Sequence, residues 1–76
     1  MIEEILCMCR AINPSVPNDP KAKLIDEGYI DSFGAYAVLV QIEIEMNIVI
    51  PENEICYENF QDIEHIVEMI NKVNVS

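Results

Sequence analysis

Gly28-Tyr29-Ile30-Asp31-Ser32-Phe33-Gly34-Ala35-Tyr36-Ala37-Val38-Leu39-Val40-Gln41-Ile42-Glu43-Ile44-Glu45-Met46-Asn47 is the stretch on which the fold turns. It predicts a helix from about Ser32 to Met46. Gly28 suits a positive-φ turn ahead of it, and Asp31 or Ser32 can cap its start. Tyr36, Leu39, Ile42 and Met46 form one apolar stripe, and Phe33, Ala37, Val40 and Ile44 form another. The polar Gln41, Glu43 and Glu45 fill only part of the circumference. A helix apolar nearly all round is either centrally buried or presents a contact face. Asn47 stands where a left-handed residue can end it.

Working outward, the preceding segment from about Asn13 to Asp31 holds Pro14, Pro17 and Pro20, with Asn18 and Asp19 between them. Prolines at that spacing allow no regular helix or strand. A connection this long in a compact domain tends to be functional. Leu24, Ile25, Tyr29 and Ile30 are its anchors, so it should lie against the helices. Before it, Ile2, Ile5, Leu6, Cys9 and Ile12 keep the i, i+3, i+4, i+7 spacing of an amphipathic helix. Glu3 and Glu4 suit its first turn, and Pro14 stops it. After the central helix, Ile48-Val49-Ile50-Pro51 reads as an extended connector. At most one short helical turn is expected around Tyr57 to Gln61. Ile63, Ile66, Val67, Ile70 and Val73 mark a last helix, with Asp62 as cap and Lys72 at its C-terminal end. The fold class is all-α: a small bundle of three main helices plus one short one, with a long first loop.

Composition narrows the function. The chain has 76 residues, with 4 Lys+Arg against 14 Asp+Glu and a net charge of −10. Yet 51% of it is hydrophobic, which argues against acidic disorder. One domain over 1–76 is the natural reading. A chain this short commits nearly all its apolar surface to folding. Little is left for an enclosed substrate pocket, so a free-standing enzyme is not expected. The charge repels nucleic acid and anionic membranes, and attracts basic protein surfaces. No apolar run approaches a membrane span, and the start lacks the basic residues of a signal peptide, so cytoplasmic residence is expected by default. Cys7, Cys9 and Cys56 are odd in number and irregular in spacing, which fits neither a disulfide framework nor a zinc site.

The candidate site is Asp31-Ser32. A serine at a helix start, after a long loop, is reachable. The free N–H groups there favour a phosphate on its oxygen, and Asp31 beside it could hold a divalent cation carrying a phosphate donor. Two residues do not decide this, because an Asp-Ser pair before a helix is ordinarily a capping pair. A hydrolase built on Ser32, Asp31 and His65 is a poor reading, since nothing supplies a shaped oxyanion site. His65 alone reads as a rim residue of the last helix. Leu39, Ile42, Met46, Ile63, Ile66 and Ile70 read as core. Tyr36 reads as core with its hydroxyl at the rim, the alternative being a lining for a cargo groove. Glu52, Glu54, Glu58, Asp62 and Glu64 read mainly as a solvated face.

The wider pattern goes further. Leu-Ile-Asp-Glu-Gly-Tyr-Ile-Asp-Ser-Phe at 24–33, the long apolar helix, Ile48-Val49-Ile50-Pro51-Glu52 and Asn59-Phe60-Gln61-Asp62-Ile63 stand in that order. The ordered set resembles the phosphopantetheine-binding carrier proteins: acyl carrier proteins, peptidyl carrier domains and D-alanyl carrier proteins. The resemblance implies a four-helix bundle with 4'-phosphopantetheine, taken from coenzyme A, attached covalently to Ser32 next to Asp31. It implies a shuttle rather than a catalyst. The implied partners are a phosphopantetheinyl transferase, an acyl- or aminoacyl-loading (adenylating) enzyme, and a downstream acyltransferase or synthase. A monomer suits that role. The chain departs from fatty-acid carriers, which resemble one another in an acid-rich second helix. Here the first acids on that helix are Glu43 and Glu45, so an apolar docking face centred on Phe33, Ala37 and Val40 is expected. That points to specialised pathways: polyketide, nonribosomal peptide or D-alanine transfer. The alternatives are a housekeeping fatty-acid carrier and a small acidic adaptor without cofactor.

Overall fold

The computed structural model describes residues 1–74. Four α-helices follow in order: α1 (Ile2–Ile12), α2 (Ser32–Met46), α3 (Tyr57–Phe60) and α4 (Ile63–Asn74). A 3₁₀ turn over Glu52–Glu54 precedes α3, and the described residues contain no strand. The expected bundle of three main helices and one short one is present. The 3₁₀ turn is an addition that the sequence reading did not anticipate. No helix of the described residues is long and apolar enough to cross a membrane.

α1 packs against both α2 and α4, and α3 packs on α4. Ile5 and Cys9 of α1 enter the core, where they meet Val38, Leu39 and Ile42 of α2 and Ile63, Ile66, Met69 and Ile70 of α4. Val16, Leu24 and Ile30 of the loop are buried with them, as are Ile50 and Phe60. Fully burying an aliphatic side chain stabilises by about 1.5–3 kcal/mol. The long loop therefore adds core residues of its own and does not merely connect helices.

The helix ends follow local chemistry. α1 carries Glu3 and Glu4 in its first turn and Arg10 in its last, complementing the helix dipole. It stops at Asn13, which is extended at φ −141° because Pro14 disfavours the helical region for the residue before it. α2 ends on Asn47 in the left-handed region, φ 53° and ψ 49°. α4 starts on Asp62, whose Oδ1 accepts the His65 N–H at 2.8 Å.

The face of α2 turned inward differs in part from expectation: Leu39 and Ile42 are in the core as expected, and Tyr36 is not. Gly34, Val38, Leu39 and Ile42 are buried. Tyr36, expected in the core, is 59% exposed, and Met46 is half-buried. Gly34 decides the rotation. A Cβ there would meet Ile30 Cγ2 at 2.8 Å and Ile12 Cγ2 at 3.4 Å, so α1 and the end of the loop come in against the Gly34 edge. The buried line 34, 38, 42 is an i, i+4 row, and Leu39 stands beside it. Tyr36 then points outward.

Candidate functional site

The loop is pinned at both sides before it reaches α2. Leu24 donates its N–H to the Gln61 carbonyl at 2.9 Å, and Pro20 O accepts the Glu64 N–H at 3.2 Å. The Tyr57 hydroxyl donates to Asp26 at 2.6 Å, which holds α3 against the loop. Gly28 makes the turn at φ 76°, where a side chain would be strained. Ile30 then donates back to Leu24 O at 3.0 Å with its side chain buried. Asn13 Nδ2 donates to Tyr29 O at 2.9 Å, which joins the end of α1 to the same segment. The residues just ahead of Asp31 are thus fixed from α1, α3 and α4.

Asp31 is the N-cap of α2. Its Oδ1 accepts the Gly34 N–H at 2.8 Å, and its carbonyl accepts the Ala35 N–H at 2.9 Å. Of the two capping options, Asp31 fills the role. Ser32 follows as the first helical residue and is exposed. Helix geometry leaves the Ser32 and Phe33 N–H groups without intrahelical acceptors, beside the Ser32 side chain. Exposed oxygen nucleophile and free donors therefore coincide at the positive end of a fifteen-residue helix, a setting that favours an anion.

A groove of about 540 Å³ opens next to Ser32. Ser32, Ala35, Tyr36, Leu39 and Glu43 line one wall at helical spacing. Ile25, Ile50, Ile55, Cys56, Tyr57 and Phe60 line the other. Tyr36 therefore takes the alternative role left open for it, as a groove wall. Glu43 Oε2 accepts the Ile50 N–H at 2.9 Å, so this carboxylate ties α2 to the connector. The Tyr57 phenol is held above its ordinary pKa chiefly by its hydrogen bond to Asp26.

Phe33, Ala37 and Val40 lie on one exposed strip of α2, with Phe33 86% exposed and Val40 38%. Ile44 continues the strip at 69% exposure. The first turn of α2 carries no acid. Glu45, further along, accepts a hydrogen bond from Gln41 Nε2 at 2.8 Å.

His65 sits at the rim of α4, half-exposed, with Nδ1 2.7 Å from Asp62 Oδ1. The sequence reading missed this pair, although an Asp three residues before a His on a helix start is a visible signal. The hydrogen bond to Asp62 raises the imidazole pKa, and burial opposes it in part. Asp62 and Glu54 also do more than form a solvated face: Glu54 Oε2 pairs with Lys72 Nζ at 3.0 Å. Cys7 is exposed, Cys56 partly buried and Cys9 buried, and all three are free thiols. Burial pushes the Cys9 thiol up to about 11, which makes it a packing group. No group of side chains suited to a metal ion occurs among the described residues.

No protein-family model matches the chain, and no solved structure matches it. Two curated proteins do. A D-alanyl carrier protein of Bacillus pumilus (strain SAFR-032) is 33% identical over 55 residues, covering 72% of this chain and 70% of that protein. Aminoacyl carrier protein 1 of Bradyrhizobium diazoefficiens is 37% identical over 51 residues, covering 67% of this chain and 56% of that protein.

Proposed function

Since the chain belongs to the phosphopantetheine-binding carrier-protein family, we propose that it is a shuttle for an amino-acid group, held on a 4'-phosphopantetheine arm at Ser32. The observation that supports this most directly is the position of Ser32. It is an exposed hydroxyl on the first residue of α2, with Asp31 already committed as the cap. The site fits a phosphodiester. Ser32 Oγ would supply the bridging oxygen, and the Ser32 and Phe33 N–H groups, which have no intrahelical acceptor, would be the donors left for the phosphate. The apolar groove beginning at Ser32 leaves room for the arm to lie along α2.

In the attachment step, Ser32 Oγ loses its proton and forms a new P–O bond to the β-phosphorus of coenzyme A. The bond from that phosphorus to the bridging oxygen breaks, and 3',5'-ADP leaves. Asp31 immediately precedes Ser32 in the chain, and its Oδ2, which the cap does not use, can help hold a divalent cation on the donor phosphates. When bound, the arm offers a terminal thiol that holds acyl or aminoacyl groups as thioesters, and the chain's part is to present it. The tether keeps its cargo at high local concentration for each enzyme it meets.

The partners in this reading are a phosphopantetheinyl transferase, an adenylating enzyme that loads the amino acid, and a downstream acyltransferase. Phe33, Ala37 and Val40 form the face they grip, next to the attachment point. A large exposed phenylalanine at such a place is the kind of anchor that dominates an interface. Both matched relatives are named for amino-acid cargo, and the apolar start of α2 separates the chain from acid-rich fatty-acid carriers. Intact mass after incubation with coenzyme A and a broad-specificity transferase tests the attachment. A gain of one phosphopantetheine is expected, and none in Ser32→Ala. The loaded form is then offered D-alanine or other amino acids with adenylating enzymes, and fatty acids with an acyl-loading enzyme. Exclusive loading with fatty acid would replace the amino-acid reading by the housekeeping one. No mass gain with any transferase would leave an acidic adaptor.

A further inference from the structure

A second groove, of about 690 Å³, lies between α1 and α2 and shares no lining residue with the one at Ser32. Ile12 approaches Gly34 at one end, while Glu3, Glu4 and Glu45 belong to the other. The two helices therefore run antiparallel and gather these three acids together. Cys7 and Ala11 on α1, and Ala37 and Gln41 on α2, form its edges, and Met8 and Val38 its floor. Residues 3, 7 and 11 are one i, i+4 row and residues 37, 41 and 45 another. Two such ridges leave the channel into which the ridge of a third helix packs. Small side chains at Cys7, Ala11 and Ala37 let its backbone come close. α1 is eleven residues long, or about 16 Å, so the channel takes about three turns of helix.

We infer that this groove docks an amphipathic basic helix of a partner protein. Charge selects the occupant. The lining holds three carboxylates and none of the chain's four Lys and Arg residues; Glu4 lies 3.6 Å from the N-terminal ammonium, which leaves Glu3 and Glu45 to carry most of the attraction. A helix with an apolar face at i, i+3, i+4, i+7 and Lys or Arg at one end satisfies both the channel and its acidic end. A second copy of a −10 chain does not. None of its lining residues lines the groove at Ser32, and Ala37 is the one it shares with the Phe33 and Val40 strip, so shifts at Cys7, Ala11 and Glu45 are what set this partner apart from an enzyme gripping that strip.

The test uses the full, unmodified chain labelled with nitrogen-15. The probe is a synthetic eighteen-residue helical peptide with Leu and Ala on one face and three Lys at one end, beside a twin with Gln for Lys. Saturable shifts are expected at Cys7, Ala11, Ala37, Gln41 and Glu45, with the twin binding about tenfold more weakly and the difference shrinking at high salt. Ala11→Arg and Glu45→Lys, both at exposed positions, should each weaken binding at least fivefold while the melting curve stays unchanged. Shifts centred on Phe33, Val40 and Ile44, equal affinity for both peptides, or no saturation would overturn the inference. So would concentration-dependent shifts without peptide, which would show that a second copy covers the groove.

Discussion

Asp31 stands in two roles at once, and a pair of substitutions separates them. Its Oδ1 caps α2 by accepting the Gly34 N–H at 2.8 Å, and it is the residue immediately before the proposed attachment serine. Asp31→Ala removes both the cap and the charge. Loss of an N-cap costs about 1 kcal/mol, within a range of about 0.5–2. The favourable meeting of carboxylate and helix dipole is worth about 0.3–1 kcal/mol more. Asp31→Ala should therefore lose about 1–2 kcal/mol, which for a domain of this size lowers the melting temperature by roughly 4–15 °C. Asp31→Asn keeps an oxygen in place for the Gly34 N–H and caps about as well as Asp. It should lose only the dipole part, less than about 1 kcal/mol.

The attachment rate then reads the charge alone. A charge-assisted contact is worth about 1.5–3 kcal/mol, and each 1.36 kcal/mol is tenfold in rate. Asp31→Asn should therefore slow transfer from coenzyme A by about ten- to a hundredfold while remaining nearly as stable as the parent. The assay is a time course of intact mass with transferase and magnesium, beside urea and thermal unfolding. An Asn variant loaded at the parental rate would refute the cation-holding role and leave Asp31 as a cap only. An Asn variant as unstable as the Ala variant would refute the capping argument itself.

Other substitutions probe other levels of the structure. Gly34→Ala should gain about 1 kcal/mol in helix propensity but lose about 1–3 kcal/mol to crowding against Ile30; urea unfolding should show a net loss, and a more stable variant would mean that Ile30 yields freely. The His65 pKa is raised by its hydrogen bond to Asp62, so its stabilising contribution is complete below the unfolded value near 6.5 and fades as pH rises through the higher folded value. An NMR titration of His65 should therefore fall back toward 6.5 in Asp62→Asn, which keeps the cap on α4; an unmoved titration would remove the pair's role. Phe33→Ala and Val40→Ala touch exposed side chains, so melting should be unchanged while loading by the native adenylating enzyme falls severalfold; unchanged loading of both would sink the docking face.

The elements that were legible in the sequence are those whose signal is local. Proline and asparagine ended α1, a positive-φ glycine preceded Asp31, and Asn47 closed α2. α1 and α4 each combine an apolar stripe with a polar remainder, and the spacing picks out Ile5, Cys9, Ile63, Ile66 and Ile70, which are buried, although it passes over the buried Met69 and includes Ile2 and Ile12 at the exposed ends of α1. The exposed place of Ser32 at the start of α2 was legible from the loop and cap residues before it, whereas its proposed role rests on the ordered set of short motifs around it.

α2 resisted the same method for a physical reason. Apolar residues surround it, so side-chain type alone could not say which face turns inward. The stripe through Tyr36, Leu39, Ile42 and Met46 and the one through Phe33, Ala37, Val40 and Ile44 are similar in apolar content, and Gly34 belongs to neither. The side chain that Gly34 lacks is the deciding feature. Its absence lets α1 and Ile30 come in against the helix backbone, which rotates Val38 into the core and leaves Phe33, Tyr36 and Val40 outside. The surplus of apolar residues on α2 is thus divided between two tasks. One row holds the bundle together, and the other stays exposed beside Ser32, where neither the core nor charge repulsion accounts for it. A helix meant only to be buried would not leave a phenylalanine 86% exposed, and one meant only for solubility would place acids in its first turn, where this one has none. That division is what the proposed docking face at Phe33, Ala37 and Val40 requires, and it is why the two alanine substitutions should leave melting unchanged.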